Sequence, residues 1–106
     1  MDSIINMEVV SASFSINSDN DGLTLMLELV GDGYGTFITL KPIAWRNFRN
    51  DLEGSEENAK KIYELFELFK VYDVKDLKGK YVRVEFEKQV AKKLYNIVDM
   101  SKSLEL

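Results

Sequence analysis

The chain has 106 residues, of which 45% are hydrophobic and 30% charged, and a net charge of −4, a composition typical of one folded domain spanning residues 1–106. It contains no Cys and no His, which excludes disulfides, thiolate metal sites, cysteine nucleophiles and histidine-based triads. The acidic balance disfavours nucleic acids and anionic membranes as partners. The apolar runs are too short for a membrane span and no secretory signal is recognisable, so we expect a cytoplasmic protein.

Two alternating segments predict a β-hairpin in the first third of the chain. Residues 7–16 alternate between polar and apolar side chains, and residues 23–30 carry leucine at every second position, a period typical of half-buried strands. The turn-forming residues 17–22 separate them and end in Asp-Gly, a strong hairpin signal. The side chains predicted to face the core are Val10, Ala12, Phe14 and Ile16 in the first strand and Leu23, Leu25, Leu27 and Leu29 in the second.

The next segment predicts a third strand and then an ambiguous stretch. Gly31-Asp32-Gly33 is a turn signal, and residues 34–40 follow it as a strand that ends at Lys41-Pro42, because proline cannot donate to a sheet. Residues 43–52 place several apolar side chains at roughly helical spacing. We therefore predict a short helical turn or an ordered loop there.

The second half of the chain predicts one helix and a second hairpin. Ser55 has the position of an N-cap, and residues 56–70 carry apolar side chains at helical spacing, with Phe66 central in the apolar stripe. Residues 81–86 alternate as a strand, and residues 93–99 are predicted to be its returning partner, with a helix from residue 90 as the alternative. The order β-β-β-α-β-β predicts an α+β fold, in which a mainly antiparallel sheet of about five strands packs against one main helix.

Three segments together resemble a known family. The stretches D-G-L-T-L-M-L-E-L at 21–29, G-D-G-Y-G-T-F at 31–37 and L-F-K-V-Y-D-V-K-D-L-K-G-K-Y-V-R-V at 68–84 are similar to a family of small uncharacterised phage and prophage proteins. The resemblance implies an α+β fold and a viral or mobile-element origin, and hence a bacterial host cytoplasm. It implies no known reaction. The positions that match the family's closing stretch are Val74, Leu77, Gly79, Val82, Arg83 and Val84.

Two motifs resemble ligand-binding loops. Residues 17–28 fit the calcium-loop pattern except at the first position, but the flanking alternation predicts strands where an EF-hand needs helices. The three glycines between residues 31 and 35 lack the spacing and the following helix of a dinucleotide loop. We therefore predict no metal and no cofactor. The residues of the calcium-like pattern are Asn17, Asp19, Asp21, Gly22 and Glu28.

The acidic residues and the aromatic residues suggest binding rather than catalysis. No acidic pair lies in an apolar setting that would tune it for proton transfer, so we predict that the chain is not an enzyme. Trp45, Phe48, Tyr63, Phe66 and Phe69 are expected mostly in the core. Trp45 is the exception, since two arginines lie close to it in the chain and Trp with Arg is the composition of an interface anchor.

Uneven charge indicates the kind of partner. Residues 1–67 have a balance of −7 and residues 68–106 a balance of +3, so we predict a small phage-type accessory protein that binds a host or phage protein with a basic surface. Anti-CRISPR-like inhibition of a host defence nuclease is one specific version of this prediction. The predicted contact residues are Asp19, Asp21, Asp32, Trp45, Arg46, Arg49, Asp51, Glu53, Glu56 and Glu57.

Two alternatives stay open. The first is a module for single-stranded nucleic acid or a small ligand, which would use Tyr81, Arg83 and Glu85 and the surrounding lysines of the C-terminal hairpin. The second is a structural homo-oligomer, such as a homodimer, that forms when an edge strand pairs with another copy.

Overall fold

The computed structural model describes residues 3–17 and 22–106, and this part of the chain forms one curled antiparallel sheet and one α-helix. A mostly antiparallel sheet with one helix is thus confirmed, but the predicted five strands are too few, since the sheet has eight. The strands are β1 Ser3–Asn17, β2 Gly22–Gly31, β3 Tyr34–Thr39, β4 Ala44–Arg46, β5 Leu52–Gly54, β6 Tyr81–Glu87, β7 Val90–Asn96 and β8 Ser103–Glu105. The helix α1 is Glu56–Phe69, and a short 3₁₀ helix spans Val74–Leu77.

The strand order across the sheet is β5-β4-β2-β1-β6-β7-β8. Two strands share the remaining edge of β2, since β3 pairs with residues 26–31 and β4 pairs at Leu23. The predicted turn at residues 31–33 joins β2 to β3. Residues 18–21 of the predicted first turn lie outside the described residues. No helix in the described ranges is long and apolar enough to cross a membrane.

The core lies between the inner face of the sheet and α1. The alternate leucines Leu25, Leu27 and Leu29 of β2 are buried as predicted, and so are the apolar residues of β6. The helix, which contacts β7 and β8, contributes Leu65 at 0% exposure, whereas Phe66 is only half-buried. The centre of the helical stripe is therefore one residue from the predicted one.

A β-bulge in β1 corrects the predicted inward face of that strand. The register shifts between Val9 and Ser11, so Met7 and Val9 fill the core before the bulge, and the even-numbered residues share the inner face after it. Phe14 and Ile16 are nevertheless 41% and 68% exposed. The prediction that they are core residues is wrong, because β6 pairs only with residues 3–8 and the strands that the helix contacts are β7 and β8, beyond β6.

Residues 43–52 form most of a small hairpin rather than a helical turn or a loop. The Asn47 side chain closes its turn, since Oδ1 accepts from the backbone N–H groups of Arg49 at 2.8 Å and Asp51 at 3.0 Å. Asn50 takes up a positive φ of 64°, which Asn tolerates better than most residues. The turn exposes Phe48, so the prediction that it is a core residue is wrong, and Tyr63 on the helix is also exposed.

The helix and the C-terminal hairpin begin and end close to the predicted positions. Ser55 is the N-cap, and its Oγ accepts from the Asn58 N–H at 3.1 Å. The returning strand β7 is confirmed, although it begins at Val90, so the alternative of a helix from residue 90 is wrong. Lys88 and Gln89 both have positive φ, as a two-residue turn matching the strand twist requires.

Candidate protein-binding surface

The β4–β5 hairpin and the first turn of α1 form a continuous segment at one end of the sheet, here called the hairpin surface and defined as residues 44–57. It contains seven of the ten predicted contact residues. Hydrogen bonds join it to the sheet, since the Ile43 N–H donates to the Leu23 carbonyl and the Ser55 N–H to the Ile43 carbonyl. The seven residues are Trp45, Arg46, Arg49, Asp51, Glu53, Glu56 and Glu57.

Glu53 holds the hairpin together from within. Trp45 and Glu53 are cross-strand partners, and the indole Nε1–H of Trp45 donates to Glu53 Oε2 at 3.1 Å. The Asn47 Nδ2–H donates to the other carboxylate oxygen at 3.0 Å. Trp45, predicted as an interface anchor, is therefore half-buried and oriented by the hairpin itself.

Phe48 at the tip of the hairpin is the exposed aromatic side chain of this surface, at 91% exposure. The Arg49 guanidinium lies over its ring, 5.2 Å from the centroid. Arg46 is folded back onto the turn, where Nη1 donates to the Asn50 carbonyl at 3.2 Å. Leu52, on the following strand, is 66% exposed. Arg46 thus holds the turn, Arg49 contacts the Phe48 ring, and the apolar side chains of Phe48 and Leu52 are exposed.

The hairpin surface also carries exposed acidic side chains. Asp51, Glu56 and Glu57 are all exposed, and Glu56 makes a solvent-exposed ion pair with Lys60 at 3.4 Å. Because the helix begins beside these groups, its N-terminal dipole favours the two glutamates. Over residues 44–57 the four acids outnumber the two arginines, so the surface is acidic overall.

Three predicted contact residues are not part of this surface as described. Asp19 and Asp21 lie outside the described residues. Asp32 lies in the β2–β3 turn and has a φ of 50°. At ~3.3 Å per strand residue, this turn is about 25–30 Å from Leu23, where β4 pairs with β2. The structure therefore does not bring Asp32 together with the hairpin surface.

Sequence reasoning missed Phe48 and Leu52 as exposed residues. Their spacing from Ile43 and Trp45 imitates one face of a helix. The signal that points to a hairpin is the set of turn-forming residues Asn47, Asn50 and Asp51 between two short apolar segments.

The outer face of β6 and β7, which the nucleic-acid alternative would use, carries mixed charge. Tyr81, Arg83 and Glu85 share this face as predicted. The Tyr95 hydroxyl donates to Glu85 Oε1 at 2.9 Å, and this hydrogen bond with the carboxylate raises the pKa of Tyr95 above its ordinary value. Tyr81 donates to Glu8 at 3.3 Å. Both phenols therefore contact the protein's own carboxylates.

The remaining candidates are an open groove and the calcium-like segment. The groove, about 1030 Å³, lies between α1 and the β7–β8 loop and is lined in part by Tyr63, Phe66 and Tyr72. Glu28 of the calcium-like pattern lies within β2, where it accepts from Ser11 Oγ at 3.3 Å. Within residues 3–17 and 22–106, no three acidic side chains are grouped closely enough to hold a metal ion.

Comparison with protein-family models, with curated proteins and with solved structures gives no match for this chain. The functional assignment therefore rests on the surfaces described above.

Proposed function

We propose that this chain is a non-enzymatic binding protein that docks on a partner protein through the hairpin surface. The observation that carries the proposal is Phe48, a large apolar side chain at 91% exposure on a turn that the protein's own hydrogen bonds hold in place. An aromatic side chain on a preformed turn loses little conformational entropy on binding. Such residues commonly supply much of the binding energy of an interface.

The surroundings of Phe48 indicate a partner with an apolar pocket and a basic rim. Leu52 is a second exposed apolar side chain of the hairpin surface, which also carries the exposed acids Asp51, Glu56 and Glu57. Charges at the rim of an interface mainly increase the rate of association and select the partner, whereas the buried apolar centre determines how slowly the complex dissociates. Acidic residues outnumber basic ones within residues 1–67. This negative charge would steer a basic partner toward the part of the chain that contains the hairpin surface.

A more specific version of the proposal rests on the resemblance to phage proteins. A basic nucleic-acid channel is a surface that an acidic protein can occupy in place of the phosphate backbone. In this version the chain acts in the cytoplasm of a bacterial host, as an anti-CRISPR-like inhibitor of a host defence nuclease. The same hairpin surface would make the contact.

The test captures partners from a bacterial lysate on the immobilised chain and compares matched variants. Phe48→Ser should lose the captured protein, whereas Tyr72→Ser, which removes an equally exposed aromatic far along the chain, should retain it. Both side chains are more than nine-tenths solvent-exposed, so neither change should unfold the protein. Equal capture by the two variants would refute the proposal.

A second pair of variants tests the acidic rim. Asp51→Asn with Glu57→Gln should slow association with the captured partner and flatten its salt dependence, whereas Asp76→Asn with Glu87→Gln should not. If the bound material is nucleic acid instead, and if Lys88→Gln with Lys92→Gln abolishes its binding, the alternative that uses the C-terminal hairpin replaces this proposal.

A further inference from the structure

The second half of β1 presents an open sheet edge. Beyond the bulge, β1 pairs with β2 on one side, whereas its pairing with β6 ends at Glu8. On the side of β6, the backbone of β1 makes one further hydrogen bond, in which the Val9 N–H donates to the carbonyl of Lys80, the residue before β6, at 2.8 Å. In the part of the chain that the structure describes, no strand pairs with the other edge of residues 11–16.

This edge lacks the features by which proteins usually prevent sheet edges from pairing. Lysine, proline, or a bulge that turns the strand away normally block such pairing. Residues 11–16 contain no charge and no proline, and the bulge of β1 lies before them rather than within them. All three serines of the segment are exposed, as are Phe14 and Ile16. The edge is therefore a template for another strand.

We propose that this edge of β1 binds the same edge of a second copy of the chain, as an antiparallel pair about a two-fold axis. The alternation of serine with apolar residues is self-complementary, because antiparallel partners that lie opposite each other share a face. With the axis at Ser15, Phe14 of each copy lies opposite Ile16 of the other. These two exposed apolar side chains then cover each other.

The charge pattern favours a second copy as the occupant. Two chains of net charge −4 repel each other in general. Residues 11–16 contain no charged side chain, so this segment adds no repulsion between the two copies. The other long edge, β3, is less suited to self-pairing, because Tyr34 lies on the inner face and Phe37 on the outer face. Pairing of β3 would thus leave no continuous apolar strip between the copies.

Sedimentation equilibrium tests the proposal with the wild-type chain. With the axis at Ser15, the described residues that pair are 13–17 of each copy, and so short an edge buries less area than a standard interface. We therefore expect a weak dimer with a dissociation constant on the order of 100 µM. A wild-type chain that stays monomeric at about 1 mM would overturn the proposal.

Charge exchange at the axis tests the register. Ser15→Lys places two lysines opposite each other across the axis, and their repulsion should raise the dissociation constant of the dimer at least about tenfold. Ser15→Glu should have the same effect through two glutamates. An equimolar mixture of the two variants should recover the dimer, because the lysine then faces the glutamate. Circular dichroism and urea unfolding establish that each variant is folded, as expected for changes at an exposed serine.

A control on the other edge distinguishes the two possible interfaces. Phe37→Lys places a charge at an exposed outer-face position of β3 and should leave the dimer intact. Loss of the dimer in this variant, or a mixture of the two Ser15 variants that stays monomeric, would contradict pairing through β1. The proposal is independent of the hairpin surface, since Phe48→Ser should leave the dimer unchanged.

Discussion

The two halves of β1 differ in what covers their inner face, although side chains alternate between the two faces in both halves. Met7 and Val9 in the first half are fully buried, whereas Phe14 and Ile16 in the second half are exposed. The first half lies between β2 and β6, in the part of the sheet that carries the core, and the second half extends beyond β6 beside β2 alone. Alternation therefore indicates which side chains share a face, but the neighbouring elements decide whether that face is buried.

The same division separates the buried side of α1 from the exposed residues of the hairpin surface. Leu65 and Leu68 pack into the core, whereas Phe48 and Leu52 project into solvent at the other end of the sheet. The apolar residues of the first region therefore stabilise the fold, whereas those of the second are the ones that the proposed function uses.

The largest expected effect is at Leu65 in the core. Leu65→Ala truncates a side chain with 0% exposure and leaves a cavity in the core. Such a substitution typically lowers the unfolding free energy by ~2–5 kcal/mol. Phe66→Ala should cost less, although phenylalanine is larger, because Phe66 is only half-buried. Urea unfolding of both variants measures the difference, and a larger loss for Phe66→Ala would place the helix differently on the sheet.

A smaller loss is expected at Gly31, where β2 approaches β1. A Cβ at this position would collide with the Asn6 carbonyl oxygen and lie 3.0 Å from the Met7 Cα, both of them backbone atoms. We expect Gly31→Ala to lower the unfolding free energy by ~1–3 kcal/mol, since neither strand can move without disturbing the core. Gly35→Ala is the control, because its Cβ would meet only ordinary contacts at 3.9 Å.

The junction between the hairpin surface and the helix should be less sensitive. Ser55→Ala removes the oxygen that accepts from the Asn58 N–H, and loss of an N-cap typically costs ~1 kcal/mol. Ser55→Asp should preserve stability, because aspartate caps helices equally well. Equal losses for the two variants in urea unfolding would mean that the cap does not hold the start of α1.

The smallest expected effect is on the ionisation of Tyr95. Its hydrogen bond to Glu85 raises its pKa above the ordinary value of 10.0, so the folded chain holds this proton more tightly than the unfolded chain does. The associated stabilisation is complete below pH 10 and is lost as the pH rises through the folded pKa. Glu85→Gln should lower the Tyr95 pKa in an NMR titration, and an unchanged pKa would contradict the contact.

The sequence predicted those features that local patterns encode. The leucines of β2, the N-cap Ser55 and the apolar face of β6 follow from period, capping and alternation, and all three are confirmed. The short strands β4, β5 and β8 have three residues each, too few to show a period. Their existence depends on partners that are distant in the chain.

The candidate site was predictable only in part, for a related reason. The exposure of the acids from Asp51 to Glu57 follows from the sequence, because chain reversals and helix starts expose polar side chains; their role as contacts stays a prediction. The exposure of Phe48 does not follow from the sequence, because hydrophobicity alone cannot distinguish an exposed apolar residue from a buried one. Only the turn formed by Asn47 shows that Phe48 points away from the sheet.

The most direct test of the division between folding and binding is the unfolding free energy of the double variant Phe48→Ser with Leu52→Ser. Both side chains are exposed, so the account predicts a value within about 0.5 kcal/mol of the wild type in urea unfolding. A loss of ~2 kcal/mol or more, comparable to that expected for Leu65→Ala, would show that these residues serve the fold. The account of the hairpin surface as a binding site would then be wrong.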